Sequence, residues 1–252
     1  MICRDYLQGE KLKVGNLNEL RVLIDRSETR LSEAAMNSWR AELIGPPHSH
    51  AGKEQVFYIT DGKGVVHVGA KTHQVQPGSL VYIPEGIVHQ SVTDHSAFTY
   101  FLFMAFLEPS KEGCASFAKH IEQVAAIRQQ QAATGEAASD PELSKRVSKK
   151  KPRFFDDVRG TTTAMLVSKT DADGCEIERV GVDKDTTRAA QYADREQTLF
   201  VLSGGGTMNL DSKECELKPG TVIFVPVNER QSVKAGSTGL TYLSFSTFIT
   251  IK

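Results

Sequence analysis

Short apolar runs recur along the chain, most of them alternating with polar residues and bounded by Gly, Pro, Asn or Asp. Alternation with period two and β-branched or aromatic content mark half-buried strands rather than helices. Strands are predicted at 19–24, 37–44, 55–60, 64–68, 72–75, 79–83 and 97–104, with turns at Asp61-Gly62-Lys63-Gly64 and Gln76-Pro77-Gly78. The polar stretch 25–33 reads as a loop. Strands this short and this regularly spaced, with no long helical pattern between them, describe an antiparallel barrel or jelly roll. The expected fold class is all-β.

The pattern then repeats. Glu196-Gln197-Thr198-Leu199-Phe200-Val201-Leu202-Ser203-Gly204 lies on Glu54-Gln55-Val56-Phe57-Tyr58-Ile59-Thr60-Asp61-Gly62. At the same offset and without a gap, Pro219 and Gly220 fall on Pro77 and Gly78, and Pro226 falls on Pro84. Gln231-Ser232-Val233 answers Gln90-Ser91-Val92 after a one-residue deletion. Register kept over so many positions marks a duplicated unit. Residues 1–108 and 153–252 are therefore read as two barrels and 109–152 as the segment joining them.

The joining segment has a different composition. Phe117, Ile121, Val124 and Ile127 stand close to helical spacing within 116–131, one apolar stripe expected to pack on a barrel. Residues 132–141 are small and polar, and 145–153 carry six basic residues, read as a solvated run.

Composition narrows the function classes. With 40% hydrophobic and 24% charged residues over 252 positions, this is an ordinary globular chain, and a net charge of −1 gives no global field for nucleic acid or an anionic membrane. No run approaches a membrane span, and the first residues do not read as a signal peptide. The four cysteines, Cys3, Cys114, Cys175 and Cys215, show no paired spacing and are read as free thiols, which fits a cytoplasmic protein.

The candidate chemistry lies in the histidines. His48 and His50, read as lying on a strand, project from one face, and His89 can return to them across a folded sheet. Three imidazoles with one oxygen ligand make a divalent transition-metal site (Fe, Mn, Ni, Zn or Co) that keeps positions open for a small-molecule ligand or substrate. His67, His73, His95 and His120 lie outside this pattern and are read as non-chemical. Phe57, Tyr82, Phe101 and Met104 are expected to line or underlie a barrel interior, and Arg40 and Glu42 to stand at the cavity mouth or on an exposed edge.

The two histidine blocks resemble the two motifs of the cupin superfamily, G-x5-H-x-H-x(3,4)-E-x6-G and G-x5-P-x-G-x2-H-x3-N. The second runs from Gly78 through Pro84 and Gly86 to His89, with Thr93 in place of the final Asn. The first departs: only two residues separate Gly45 from His48, and two residues compete for the oxygen-ligand position. Glu54 keeps the spacing from His50, whereas Gln55 keeps the strand register to Gly62. A one-residue slip turns the wrong side chain outward, so Gln55 is expected to be the ligand and Glu54 to point out of the barrel. Some small cupins with Glu-Gln here, among them one acting in pectin and alginate breakdown, are similar in using Gln as fourth ligand.

With the duplication, the resemblance implies a bicupin whose barrels pack in pseudo-twofold fashion, with a homodimer as further assembly. Ala190 and Tyr192 replace the paired histidines in the second half, Arg230 replaces His89, and no histidine remains there. Arg230 and Tyr192 could hold an anion, though a purely structural second barrel is the favoured reading. Three functions follow: Lewis-acid isomerisation or tautomerisation of a sugar acid or keto acid, an Fe(II) dioxygenase that would want Glu54 at the metal, or a non-catalytic metal- or ligand-binding module. Glu54, Glu85 and Tyr82 are the nearest general-base candidates by motif position.

Overall fold

The computed structural model describes residues 2–137, 147–211 and 213–248. In chain order it contains β1 (Ile2–Asp5), β2 (Glu10–Val14), β3 (Asn18–Ile24), β4 (Ser32–Trp39), β5 (Lys53–Gly62), β6 (Gly64–Val68), β7 (Lys71–Val75), β8 (Leu80–Ile83), β9 (His89–Val92) and β10 (Phe98–Phe106). Helix α1 (Phe117–Thr134) follows, then β11 (Arg153–Phe155), β12 (Ala164–Val167), β13 (Cys175–Val182), β14 (Thr187–Ala190), β15 (Arg195–Leu210), β16 (Lys213–Leu217), β17 (Thr221–Val225) and β18 (Gln231–Phe248). One sheet runs β11-β8-β5-β10-β4-β3-β2 and closes with a smaller β7-β6-β9 sheet around the first barrel. The other runs β1-β17-β15-β18-β13-β12, with β14 on β18 and β16 on β15. The fold is all-β, two antiparallel cupin-type barrels joined by a partly helical segment.

Strand alternation explains how each barrel serves two cores. Along β5, Phe57 and Ile59 pack inside the first barrel with Val81, Ile83, Leu102 and Met104. Val56 and Tyr58 face the other way, into a core shared by both barrels that also holds Tyr82, Phe101, Phe103, Phe200 and Phe245. There Phe101 stacks on Phe200 at 4.6 Å and Phe103 on Phe245 at 4.9 Å between ring centres. Tyr82 and Phe101, expected to line or underlie a barrel interior, lie in this shared core. The second barrel has its own interior around Val180, Leu199, Met208, Ile223 and Tyr242.

The repeat is visible in the pairing. Gln55 lies opposite Met104 and Ile83, and Gln197 lies opposite Ser246 and Val225, the same positions one repeat later. The barrels also exchange short strands. β1 pairs with β17 of the second barrel, from Ile2 opposite Phe224 to Asp5 opposite Thr221. β11 pairs in the same sense with β8 of the first barrel, from Arg153 opposite Tyr82 to Phe155 opposite Leu80. As stretches of chain, 1–108, 109–152 and 153–252 remain our proposed division; in space each sheet borrows a strand from the other's stretch.

Two buried carboxylates interlock the barrels. Glu54 accepts from the backbone N–H of Asp173 at 2.8 Å and of Gly174 at 3.0 Å, and from the Tyr82 hydroxyl at 2.6 Å. Its counterpart Glu196 accepts from the N–H of Arg30 at 3.0 Å and of Leu31 at 2.9 Å, and from the Ser32 and Thr247 hydroxyls. Each barrel thereby satisfies backbone donors of the other.

Several local expectations need correction. The strand expected at 37–44 is β4, ending at Trp39, and part of the loop expected at 25–33 belongs to it. Its polar letters misled because they are paired inside: Arg26 grips Glu33 with two bonds, at 2.6 and 2.8 Å, both side chains fully buried. Arg40 and Glu42 sit in the following loop, with Arg40 bonded to the Asn16 carbonyl. The free-thiol reading fails at Cys3 and Cys215, which form a disulfide between β1 and β16 with Cα atoms 6.5 Å apart. Residues far apart in sequence leave no spacing signal for such a bond. Cys114 and Cys175 are free and buried.

Helix α1 begins at Ser116, whose side chain accepts from Lys119 N, and ends at Gly135 in the left-handed region, φ 71°. Phe117 and Ile121 are buried, but Ile127 is exposed and leaves the expected stripe. Part of the small polar stretch, with Lys145 and Arg146 of the basic run, lies outside the described residues. Of the remainder, Lys150 bonds the Thr170 carbonyl and Arg153 pairs with Asp171.

Thiol titration after unfolding without reductant should find two thiols, Cys114 and Cys175, and all four once reductant is added. Glu54→Ala leaves buried donors unpaired and should cost about 3 kcal/mol of stability in urea denaturation; a loss below about 1 kcal/mol would mean that the interlock carries little.

Candidate metal centre

The stretch carrying His48 and His50 is extended but is not a regular strand. Pro46 and Pro47 cannot donate to a ladder, and the segment touches β9 through single bridges, Ile44 to Val92 and His48 to His89. His48 and His89 exchange backbone hydrogen bonds at 3.0 and 2.8 Å, and Gly86 N donates to the His50 carbonyl at 2.9 Å. Gly45 permits this approach, since a Cβ there would stand 2.7 Å from the Ser91 carbonyl oxygen and 2.8 Å from the Trp39 ring. Thr93, in place of the motif's Asn, accepts from Leu43 N at 2.8 Å and donates to the Arg40 carbonyl, fixing the loop leading into the histidines.

The three imidazoles come together. Their candidate ligand nitrogens lie within 4.8 Å of one another. His48 Nδ1 donates to the Pro46 carbonyl at 2.8 Å and His89 Nδ1 to the Ile87 carbonyl at 3.1 Å, which leaves each Nε2 as the lone-pair nitrogen. Burial pushes His48 and His50 well below the ordinary imidazole range, helped by the charges of Arg128 and Lys53 respectively, and lowers His89 to about 4. All three are neutral at pH 7, the state a metal ligand needs. Gln55 lines the same cavity. Its Oε1 and His89 Nε2 are buried with no hydrogen-bond partner among the described residues. Glu54 is turned the other way, into the interface. No other group of three or more His, Cys, Asp or Glu among the described residues is arranged to hold a metal.

The cavity has a volume of about 80 Å³. Leu20, Phe57, Leu102 and Met104 form an apolar wall beside Asn37, Trp39 and Tyr100. The Tyr100 hydroxyl accepts from Asn37 at 2.8 Å and from Trp39 at 3.2 Å, while burial pushes its pKa up to about 12. Helix α1 supplies the remaining wall through Phe117, His120, Ile121, Val124 and Arg128. Sequence reasoning passed over Lys53, His120 and Arg128 as site residues. Arg128 had a legible signal, since 117, 121, 124 and 128 follow one helix face. The general-base candidates Glu54, Glu85 and Tyr82 are absent from the lining: Tyr82 bonds Glu54, and Glu85 accepts from Gly52 N. Of the remaining histidines, His67 bonds Thr72, His73 stacks on Phe154 and His95 is exposed.

The second barrel is filled where the first is hollow. Gln197, the counterpart of Gln55, donates to Ser244 at 2.9 Å and Ser246 at 3.2 Å, and its Oε1 accepts from Gln231 at 2.6 Å. Only about 20 Å³ remains there, lined by Tyr192 among others. Tyr192 carries the Arg195 guanidinium 5.0 Å from its ring centre, and Arg230 is exposed outside the lining. The two do not form a shared anion pocket.

Residues 40–103 match the Cupin_2 family, described as a cupin domain. Over 44 residues the chain is 36% identical to an uncharacterized protein of Streptomyces coelicolor, a match covering 18% of this chain and 39% of that protein. Among solved structures it is similar to protein Ylba from E. coli, with a TM-score of 0.70 and 13% identity over 98% of this chain and 90% of that one. An oxalate decarboxylase variant from Bacillus subtilis gives a TM-score of 0.67 at 12% identity, over 97% of this chain and 76% of that one. Another structure of the same enzyme, studied for its Mn(II) centres, gives 0.65 at 13% identity over 97% and 76% of the two chains. At such identities the structural likeness is one of fold.

A closed second interior should leave a single site: metal titration of the whole chain, followed by calorimetry, is expected to saturate near one divalent ion per chain. A second equivalent surviving His48→Ala would contradict this.

Proposed function

We propose that this chain, which matches a cupin domain over residues 40–103, is a cupin whose first barrel holds a divalent metal at which a small oxygen-rich metabolite, a sugar acid or keto acid, is isomerised or tautomerised. The observation that carries this is the pair of orphaned atoms, Gln55 Oε1 and His89 Nε2, buried in one cavity with the other two imidazoles. A buried polar atom without a partner costs about 1–3 kcal/mol, a cost that a shared metal ion removes. The neutral N₃O donor set suits Fe, Mn, Ni, Zn or Co.

His48, His50, Gln55 and His89 are the proposed ligands. A divalent ion held there would supply Lewis acidity toward a carbonyl or enediol oxygen. The apolar wall of Leu20, Phe57, Leu102 and Met104 restricts water around a bound metabolite. Glu54, Glu85 and Tyr82 are directed elsewhere and the Tyr100 hydroxyl is bonded to Asn37 and Trp39, while Lys53 and His120 are among the residues lining the cavity.

The dioxygenase alternative wanted Glu54 at the metal, and Glu54 is bonded across the barrel interface instead. A non-catalytic binding module would use the same cavity and lack only turnover. Among the described residues no helix is long and apolar enough to cross a membrane. The cytoplasmic location inferred from four free thiols loses that support at the Cys3–Cys215 bond. Barrel pairing of the kind cupins make between chains is made here within one, so we take the single chain as the working unit, with a homodimer as further assembly that light scattering would detect.

Metal analysis of purified variants tests the ligand set. His48→Ala and His89→Ala should lower affinity at least about tenfold, equivalent to losing roughly 1.4 kcal/mol. Gln55→Glu should tighten binding by adding a negative charge to the shell, and Glu54→Ala should change it little. If Glu54→Ala empties the site and Gln55→Ala does not, the ligand assignment is lost; oxygen uptake on adding Fe(II) would then favour the dioxygenase.

A further inference from the structure

The outer face of the first barrel's large sheet carries a polar row remote in role from the imidazoles inside. Glu19 lies opposite Ser38, Ser38 opposite Thr99 and Thr99 opposite Asp61, one residue from each of β3, β4, β10 and β5. Asp61 reaches this face because the register shifts between Thr99 and Tyr100. Such a bulge re-aims side chains, so Thr60 and Asp61 line the same hollow where strict alternation would send one of them inward.

That hollow lies at the seam of the two barrels and has a volume of about 540 Å³. Tyr6, Met36 and Tyr58 form its apolar side with Phe200 and Leu202 of the second barrel. A neighbouring hollow of about 490 Å³ shares Glu19, Ser38 and Thr99 with it, so the polar row borders both. Two groups in the lining have no hydrogen-bond partner among the described residues: the Asp61 carboxylate and the hydroxyl of Tyr58, a residue only 5% exposed. Burial pushes the Tyr58 pKa up to about 12, so its hydroxyl remains a donor at pH 7.

We infer that this seam binds a neutral oligosaccharide, at a site separate from the metal cavity. A sugar ring carries hydroxyls along its edge and C–H groups on its faces. The faces suit the Tyr6 and Tyr58 rings. The hydroxyls suit the acceptor-only carboxylate of Asp61 and the free Tyr58 hydroxyl, with Ser38 and Thr99 between Glu19 and Asp61 along the row. Glu19 pairs with Lys11 at 3.1 Å and Arg21 offsets Asp61 in charge, which favours a neutral ligand over an ion. Two adjoining hollows of this size hold more than one sugar unit.

Tyr6 is held in place by the second barrel. Its N–H donates to the Gly220 carbonyl at 2.9 Å, and a Cβ on Gly220 would stand 2.2 Å from Tyr6 Cδ1, so glycine is what admits the ring. The Cys3–Cys215 bond, three residues earlier, fastens the same segment to β16.

Saturation-transfer NMR of the whole chain with cellotetraose and maltotetraose tests this; both are neutral and too large for the metal cavity of about 80 Å³. Wild type should transfer saturation to at least one of them. Tyr6→Ala, Tyr58→Phe and Asp61→Asn should each weaken its binding about fivefold or more. His48→Ala should leave it within about twofold, with or without added Mn(II), so failure of the metal reading and failure of this one are told apart. Thermal melting checks the variants; Asp61 is exposed and Asn has its shape, so Asp61→Asn carries the test if Tyr6→Ala or Tyr58→Phe unfolds. Absence of transfer to both sugars in wild type overturns the inference, as does equal binding by wild type and Asp61→Asn. Loss with His48→Ala and retention in the seam variants would place the sugar at the metal cavity and overturn it as well.

Discussion

The structure depends on two carboxylates at equivalent places in the repeat. Glu54 and Glu196 each leave their own barrel and accept backbone N–H groups of the other, Glu54 from Asp173 and Gly174, Glu196 from Arg30 and Leu31. An unpaired carboxylate at such depth would be expensive, and so would the unpaired N–H groups facing it. Each constraint answers the other. The stacked Phe101–Phe200 and Phe103–Phe245 pairs and the exchanged strands β1 and β11 then follow a relative placement that the carboxylates hold in register.

The interlock divides the labour of adjacent residues. Because strand side chains alternate, sending Glu54 to the interface sends Gln55 into the cavity. The same alternation in the second barrel sends Glu196 outward and Gln197 inward. There the inward residue meets Ser244, Ser246 and Gln231 and is satisfied by them. In the first barrel it meets three imidazoles and remains without a partner among the described residues. Duplication has kept the architecture in both halves, while among the described residues the three-imidazole cluster lies in the first alone.

The turn at 25–33 connects the interface to the cavity wall. Its Arg26–Glu33 pair is fully buried, its backbone N–H groups at Arg30 and Leu31 engage Glu196, and Asp25 holds the start of α1. Lys111 reaches back to the Arg26 and Thr29 carbonyls just before the helix. The second barrel thus supports the helix that walls the first cavity, although among the described residues it contributes none to that lining.

The sequence by itself determined the all-β class, the duplication, the three-histidine cluster and the directions of Glu54 and Gln55, because period-two alternation and an ungapped repeat are local properties that survive without coordinates. It also placed a helix within 116–131, although with Ile127 rather than Arg128 on its inner stripe. Tertiary structure decided what lay between residues distant in the chain. Arg26 and Glu33 looked like loop polarity until burial paired them; Cys3 and Cys215 looked free until β1 crossed to the second barrel. Tyr82 and Phe101 looked like one barrel's interior until the other barrel covered them. Composition and spacing show which residues can face inward, but only the placement of one barrel against the other fixes which interior each one enters.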